Sequence, residues 1–270
     1  MRDEKRGDVD GLVDGIRERF GIDCREYAPG SFEHRILGQM HVEGLEDVAS
    51  YAQRVVRDPA CLGRLLLSLA NPVGPLFHRP TLYRSLRELV VPVLRTYPFA
   101  RVWCAGCSTG EEAYGTAILL EEEGLGERVR VYATDVNDVA LGRAREGVYP
   151  ADSLSEADYL AAGGKASLVG YFSVHGDRAA ILPWLRHRVT FAQYAMLTDA
   201  SFNEFQLILC RDVMVDFDEA LRRRVFGVLH ESLCSFGILG VGEEESIERH
   251  PNRTSYEELD GGEKLYRRVE

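Results

Sequence analysis

An α/β protein is expected, with an all-α N-terminal domain over residues 1–79 followed by a domain over residues 80–270 whose sheet is mostly parallel. Before residue 80, apolar residues recur only at helical spacing. Beyond about residue 100, short apolar runs alternate with amphipathic helices. The alternation breaks once, between 150 and 190, where a small antiparallel β-subdomain is inserted. Strands that alternate with helices in this way build a parallel sheet covered on both faces, because each crossover helix packs back onto the sheet.

Residues 8–20 set Leu12, Val13, Ile16 and Phe20 along one helical face, and 32–41, 45–57 and 60–70 read as further helices. Pro29-Gly30 and Asp58-Pro59 separate them, since proline lacks the N–H that a helix interior needs. A longer amphipathic helix from residue 80 carries Leu82, Leu86, Leu89, Val90 and Val93 and stops before Pro98. Strands follow at 101–105, 129–134, 189–193, 206–210, 237–241 and 265–269, with helices at 111–123, 137–146 and 217–234 between several of them. Tyr171-Phe172, the His175-Gly176-Asp177 turn and Ala179 to Leu182 form the inserted hairpin. The acidic stretch 242–263 reads as a loop before a final edge strand.

Composition narrows the function. Among 270 residues, 45% are hydrophobic and 28% charged, values that support a packed core. Residues 1–97 hold 14 basic and 14 acidic side chains, so 98–270 carry 18 against 29 and the whole net charge of −11. That balance argues against nucleic acid as a partner, which calls for a basic stripe. No run of 18 apolar residues occurs and the N-terminus is charged, so a cytoplasmic protein without membrane insertion is expected. Six scattered cysteines read as reduced and buried. Cys104 and Cys107 form a C-x-x-C, yet no second pair follows at zinc-site spacing, so no metal is expected.

The chemistry-bearing segment follows the first strand: Ala105-Gly106-Cys107-Ser108-Thr109-Gly110-Glu111-Glu112. In open parallel sheets, ligands sit beyond the carboxyl ends of the strands, and this loop lies at such an end. Gly106 and Gly110 let backbone approach a ligand closely. A dinucleotide loop aims a helix N-terminus at a pyrophosphate, whereas this one leads into two carboxylates that would repel it. The acids suit a cationic nucleoside, and S-adenosylmethionine, with its sulfonium and α-ammonium groups, is such a ligand. The second strand ends at Asp135, where a carboxylate can accept hydrogen bonds from ribose hydroxyls. An aspartate after a strand can also be nothing more than a helix N-cap.

The segment WCAGCSTGEEAYGTAILL closely resembles the glycine loop of the chemoreceptor glutamate methyltransferases, the CheR-like family, and ATDVNDVALGRAREGVYP resembles that family's second-strand segment. FGIDCREY, YAQRV and LLLSLA look like its helical domain, YFSVHGDRAAILPWLRHRVTF like its inserted β-subdomain, and LILCRDVMVDFDEALRRRVF like its late strand and helix. The likeness implies a class I methyltransferase-like (Rossmann-like) fold, S-adenosylmethionine as cofactor and S-adenosylhomocysteine as product. It places Glu112 at the methionine part and Asp135 on the ribose, with Ala105, Gly106, Cys107, Val136 and Val213 flanking the cofactor.

Other family positions differ. A pattern like N-x-T-x-F-F-R-D-P corresponds to Pro72 through Pro80, which puts Gly74 at the threonine and His78 at the arginine near the transferred methyl; a one-residue shift gives that role to Arg79. C-R-N-x-x-x-Y-F corresponds to Cys210 through Phe217, so Asp212 replaces an asparagine and Asp216 a tyrosine. N-L-L corresponds to Ala195-Met196-Leu197 on the adenine side. A glutamate acceptor arrives ionised, its ordinary pKa being about 4.3, and needs no base. Asp212 and Asp216 would repel it, whereas a His78–Asp216 pair could take a proton from an alcohol, phenol or amine. The acceptor is then either a receptor-like protein carboxylate or a changed group, on a protein resembling a chemoreceptor helical bundle or on a small molecule; a catalytically silent cofactor-binding regulator is the alternative. Family helical domains meet receptors through basic residues, and Arg54 and Arg57 here fit either that role or a solvated face. Trp103 and Trp184 read as packing residues.

Overall fold

The computed structural model describes residues 2–20, 29–58, 61–62, 65, 75–194, 196, 204–215, 217, 219–248 and 250–269. The chain divides into two compact units. Residues 1–72 with 214–222 form one, and residues 73–213 with 223–270 form the other.

In the first unit, helices Arg2–Phe20, Pro29–Val42 and Val48–Arg57 enclose an apolar core that includes Leu12, Val13, Ile16, Ile36, Met40, Tyr51 and Val55. Asp47 starts the third helix by accepting the Ser50 N–H at 2.7 Å, which satisfies one of the donors a helix start leaves free. Arg54 and Arg57 are both exposed on this helix, and Arg54 lies 3.5 Å from Glu43. Most of the helix expected at 60–70 lies outside the described residues.

The second unit is built on a seven-stranded sheet: β1 (Ala100–Ala105), β2 (Val129–Asp135), β6 (Val189–Gln193), β7 (Phe205–Cys210), β8 (Leu233–Val241), β9 (Tyr256–Asp260) and β10 (Leu265–Arg268). Their order is β6-β2-β1-β7-β8-β10-β9. The first five run parallel, while β10 is antiparallel to both β8 and β9. The strand order therefore reverses between β1 and β7, the place where a parallel sheet opens a ligand crevice at its carboxyl edge. A separate antiparallel sheet, β3 (Val148–Pro150), β5 (Arg178–Ile181) and β4 (Phe172–His175), supplies the inserted subdomain.

Three local readings need correction. The final strand is not an edge: Tyr256–Asp260 turns back through Asp260, which accepts the Gly262 and Glu263 N–H groups, and itself covers β10. Strand β8 begins at Leu233 rather than 237, because its pairing slips from Phe205–Leu233 to Leu207–Ile238 and pushes Phe236 outward at φ 63°. The helix from residue 80 is three pieces, Pro80–Ser85, a π-turn over Leu86–Val90 and Val91–Arg95. Pro92 cannot donate to the preceding turn, and a widened turn beside it accommodates the ring.

Helix Glu111–Glu122 packs against β2 and β6 of the large sheet, and its Tyr114 ring meets Tyr149 of β3. At its far end Glu122 accepts the Tyr159 and Tyr171 hydroxyls and pairs with Arg87, while Glu123 pairs with Arg87 at 2.7 Å, Lys165 at 2.8 Å and Arg95 at 2.9 Å. Trp103 is fully buried, stacked on Phe205 and donating to Thr134 Oγ1 at 2.8 Å; Trp184 is half-exposed, its ring tilted against Tyr171. Among the described residues no helix is long and apolar enough to cross a membrane.

Candidate functional site

The turn after β1 is held by backbone. Gly106 and Cys107 N–H groups both donate to Thr134 O, at 2.7 and 2.9 Å, which ties the turn to the end of β2. Gly106, Ser108 and Gly110 all take positive φ, at 72°, 47° and 92°. The requirement for glycine is plain at Gly110, where a Cβ would lie 3.0 Å from Ala144 Cβ. At Gly106 a Cβ would run into Val213 Cγ2.

Asp135 stands at the tip of β2 with both oxygens engaged. Oδ2 accepts the Ser108 N–H at 2.8 Å and Oδ1 the Asn137 N–H at 2.9 Å. The capping role belongs instead to Asn137, whose side chain receives the Val139 and Ala140 N–H groups. Burial raises the Asp135 pKa in spite of these bonds. Each carboxylate oxygen can accept more than one hydrogen bond, so the acid is fixed in place with acceptor capacity left.

Two more acids open helix Glu111–Glu122. Glu111 accepts the Thr109 hydroxyl at 2.7 Å, and Thr109 O receives the Tyr149 hydroxyl at 2.8 Å. Glu112 Oε2 lies 3.3 Å from Arg211 Nη1. Burial raises the pKa of both glutamates, and for Glu112 it outweighs the lowering by Arg211. The Arg211 side chain is 3% exposed and its Nε has no hydrogen-bond partner. Burial also pushes the Cys104 and Cys107 thiols well up, which keeps both protonated at neutral pH. Among the described residues no group of three or more His, Cys, Asp or Glu could hold a metal ion.

Beside the turn, three further loops bring charged side chains together. His78 follows Phe77, a buried residue at φ 62° whose ring meets Tyr83 and Tyr159. His78 is exposed, and its Nδ1 lies 3.2 Å from Pro75 O. A carbonyl only accepts, so Nδ1 carries the proton and Nε2 is left with its lone pair. Partial desolvation, then the Arg211 charge, lowers the His78 pKa, so the ring is neutral at pH 7. Arg79 is paired with Glu243 at 3.1 Å. After β7, Asp212 takes φ 59°, and its N–H donates to Glu245 Oε2 at 3.2 Å.

His78, Arg79, Glu112, Arg211 and Asp212 therefore share one electrostatic neighbourhood. Val213 closes on Gly106, Ala105 and Cys107 are buried beneath the turn, and Val136 is 45% exposed beside Asp135. Met196 is half-buried beyond β6. Gly74, Ala195 and Asp216 lie outside the described residues, and so does the His78–Asp216 pair; among the described residues, Asp212 is an acid that acts electrostatically on His78. Arg211, Glu243 and Glu245 were missed by sequence reasoning. Arg211 had a signal, a cation inside an otherwise apolar strand end. Nothing in the run Gly242-Glu243-Glu244-Glu245-Ser246 marks one glutamate as the buried one.

Residues 76–262 match the family described as CheR methyltransferase, SAM binding domain, and residues 8–70 match CheR methyltransferase, all-alpha domain. A Pseudomonas putida protein named putative methyltransferase Cher3 is 38% identical, covering 99% of this chain and 100% of that protein. An uncharacterized 104.1 kDa protein of Rhodobacter capsulatus is 29% identical over 84% of this chain, which spans 24% of that longer protein. A chemotaxis protein methyltransferase of Listeria monocytogenes is 27% identical over 86% of this chain and 87% of its own length.

Proposed function

The chain belongs to the CheR methyltransferase family, and on that basis we propose that Asp135, Glu112 and the turn from Gly106 to Gly110 seat S-adenosylmethionine while His78 serves the methyl acceptor. As a member of that family the protein is an S-adenosylmethionine-dependent methyltransferase of the class I fold. The donor set suits the cofactor. Three carboxylates whose pKa values burial has raised, Glu111, Glu112 and Asp135, gather around one turn and stand to gain from a cationic ligand.

The observation that carries the reading is Asp135, held by two backbone N–H groups at the second strand's tip and able to accept from ribose hydroxyls. Glu112 would face the methionine part. Ala105, Gly106 and Cys107 would supply the floor, Val136, Ala195 and Met196 the adenine side, and Gly74, Asp212 and Val213 the remaining wall. When bound, the cofactor supplies an electrophilic methyl carbon on a cationic sulfur. The chain's own residues align the acceptor, exclude water and place charge.

The acceptor we favour is a hydroxyl or amine rather than an ionised carboxylate. His78 in its Nδ1–H form offers Nε2 as a base, and Arg79, the cation that could orient a carboxylate, is occupied by Glu243. A partner protein, such as a receptor-like helical bundle, or a small molecule would present that group. The Arg79–Glu243 pair also favours a second reading, a regulator that binds the cofactor or its demethylated product without turnover. Tritiated methyl transfer from S-adenosylmethionine to lysate proteins and to the small-molecule fraction separates the two. A labelled species that disappears with Asp135→Ala supports the enzyme reading; absence of any labelled species with the natural acceptor present sinks it.

A further inference from the structure

The carboxyl ends of β7 and β8 are clasped by one buried acid. Glu245 is 4% exposed, and its Oε2 accepts two backbone N–H groups, Gly242 at 2.6 Å and Asp212 at 3.2 Å. Its own N–H donates to Gly242 O at 3.0 Å, so residues 242–245 form a turn closed from both sides. The clasp leaves no slack at Gly242. A Cβ there would lie 2.5 Å from Asp212 Oδ1 and 2.7 Å from both Asp212 N and Glu245 Oε2.

The partner of the clasp is a strained residue. Asp212 sits at φ 59°, a left-handed conformation that is unfavourable for a non-glycine residue and persists only where its surroundings enforce it. On either side of Asp212 the chain meets the cofactor turn: Arg211 reaches Glu112 at 3.3 Å, and Val213 closes on Gly106. A left-handed residue between them is what sends those two side chains to their places.

We infer that Glu245 is a positioning residue for methyl transfer: by holding the Asp212 N–H, its buried carboxylate keeps Asp212 left-handed and so sets Arg211 and Val213 against the cofactor turn. The inference rests on the reading that this turn seats S-adenosylmethionine. It concerns the geometry of the side-chain oxygen rather than its charge. A glutamine keeps an acceptor oxygen at the same reach, whereas an aspartate keeps the charge and withdraws the oxygen by one methylene.

Calorimetric binding of S-adenosylhomocysteine to the full chain tests it with Glu245→Gln, Glu245→Asp and, as a reference, Asp135→Ala. Glu245→Gln is expected to bind within about threefold of the parent, and Glu245→Asp about tenfold or more weakly, the loss expected when a buried N–H is left without its acceptor. Near-parental binding by Glu245→Asp, or equal losses in both variants, overturns the inference. Asp135→Ala binding as tightly as the parent overturns the reading of the turn instead, and the two failures are thereby told apart. A second measurement needs no variant: the Asp212 and Gly242 amides of the unliganded parent are expected to exchange slowly with solvent, and fast exchange at both overturns the clasp.

Discussion

Arg211 Nη1 stands 3.3 Å from Glu112 Oε2, with side chains 3% and 17% exposed, an ion pair almost removed from water beside the turn that follows β1. Deleting one partner of such a pair strands the other charge. Arg211→Met is therefore expected to lower unfolding free energy by about 3 kcal/mol at neutral pH, read by urea denaturation without cofactor. The deficit shrinks as pH falls, since Glu112, whose pKa burial already raises, takes up a proton and ceases to need the cation. A deficit unchanged between neutral and mildly acidic pH would contradict the pairing.

Asp135→Asn keeps the shape of the side chain but loses the charge that accepts from Ser108 and Asn137. A hydrogen bond from a ribose hydroxyl to the charged group would contribute about 1.5–3 kcal/mol, so S-adenosylhomocysteine affinity is expected to fall roughly tenfold to a hundredfold. Titration calorimetry reads it.

Cofactor binding is expected to release protons. Glu112 and Asp135 hold theirs above the ordinary values of 4.5 and 3.8 in the free protein, because burial disfavours their charged forms. A cationic ligand and donating ribose hydroxyls favour the ionised forms, so affinity rises with pH across the range just above those values. Calorimetry in buffers of different ionisation heat counts the protons; zero release between pH 5 and 7 would argue that neither acid meets the ligand.

If His78 acts as base, kcat/KM against pH has an acid limb that falls below pH 6.5, since packing and Arg211 lower its pKa from that ordinary value. Above the limb the ring is neutral and activity is level. His78→Ala is expected to remove the limb; an identical profile in the variant would assign the proton elsewhere.

Gly110→Ala forces a side chain onto φ 92° and to within 3.0 Å of Ala144 Cβ and 3.3 Å of Phe191. A loss of about 1–3 kcal/mol is expected, visible as a lower thermal midpoint. Gly11→Ala, which meets nothing within 4 Å, is the control.

The parallel sheet and the acids of the glycine turn were legible because period, loop and strand tip are all local in sequence. Local pattern says nothing of what a strand pairs with, which is why β10 read as an edge and Tyr256–Asp260 as a loop. The π-turn near Pro92 stayed hidden because a proline in an apolar helical run is compatible with a break, a kink or a wider turn. The acceptor side was harder still. His78 and Arg79 were both candidates, yet the tautomer of one and the engagement of the other depend on Pro75 O and Glu243, contacts that no spacing rule reports.

Helix Glu111–Glu122 has 12 residues, a rod of about 18 Å at the usual rise. One tip bears Glu111 and Glu112, and the other is bolted through Glu122 to Tyr159 and Tyr171. The turn after β1 and the segments that carry Tyr159 and Tyr171 are thus joined to opposite ends of one helix.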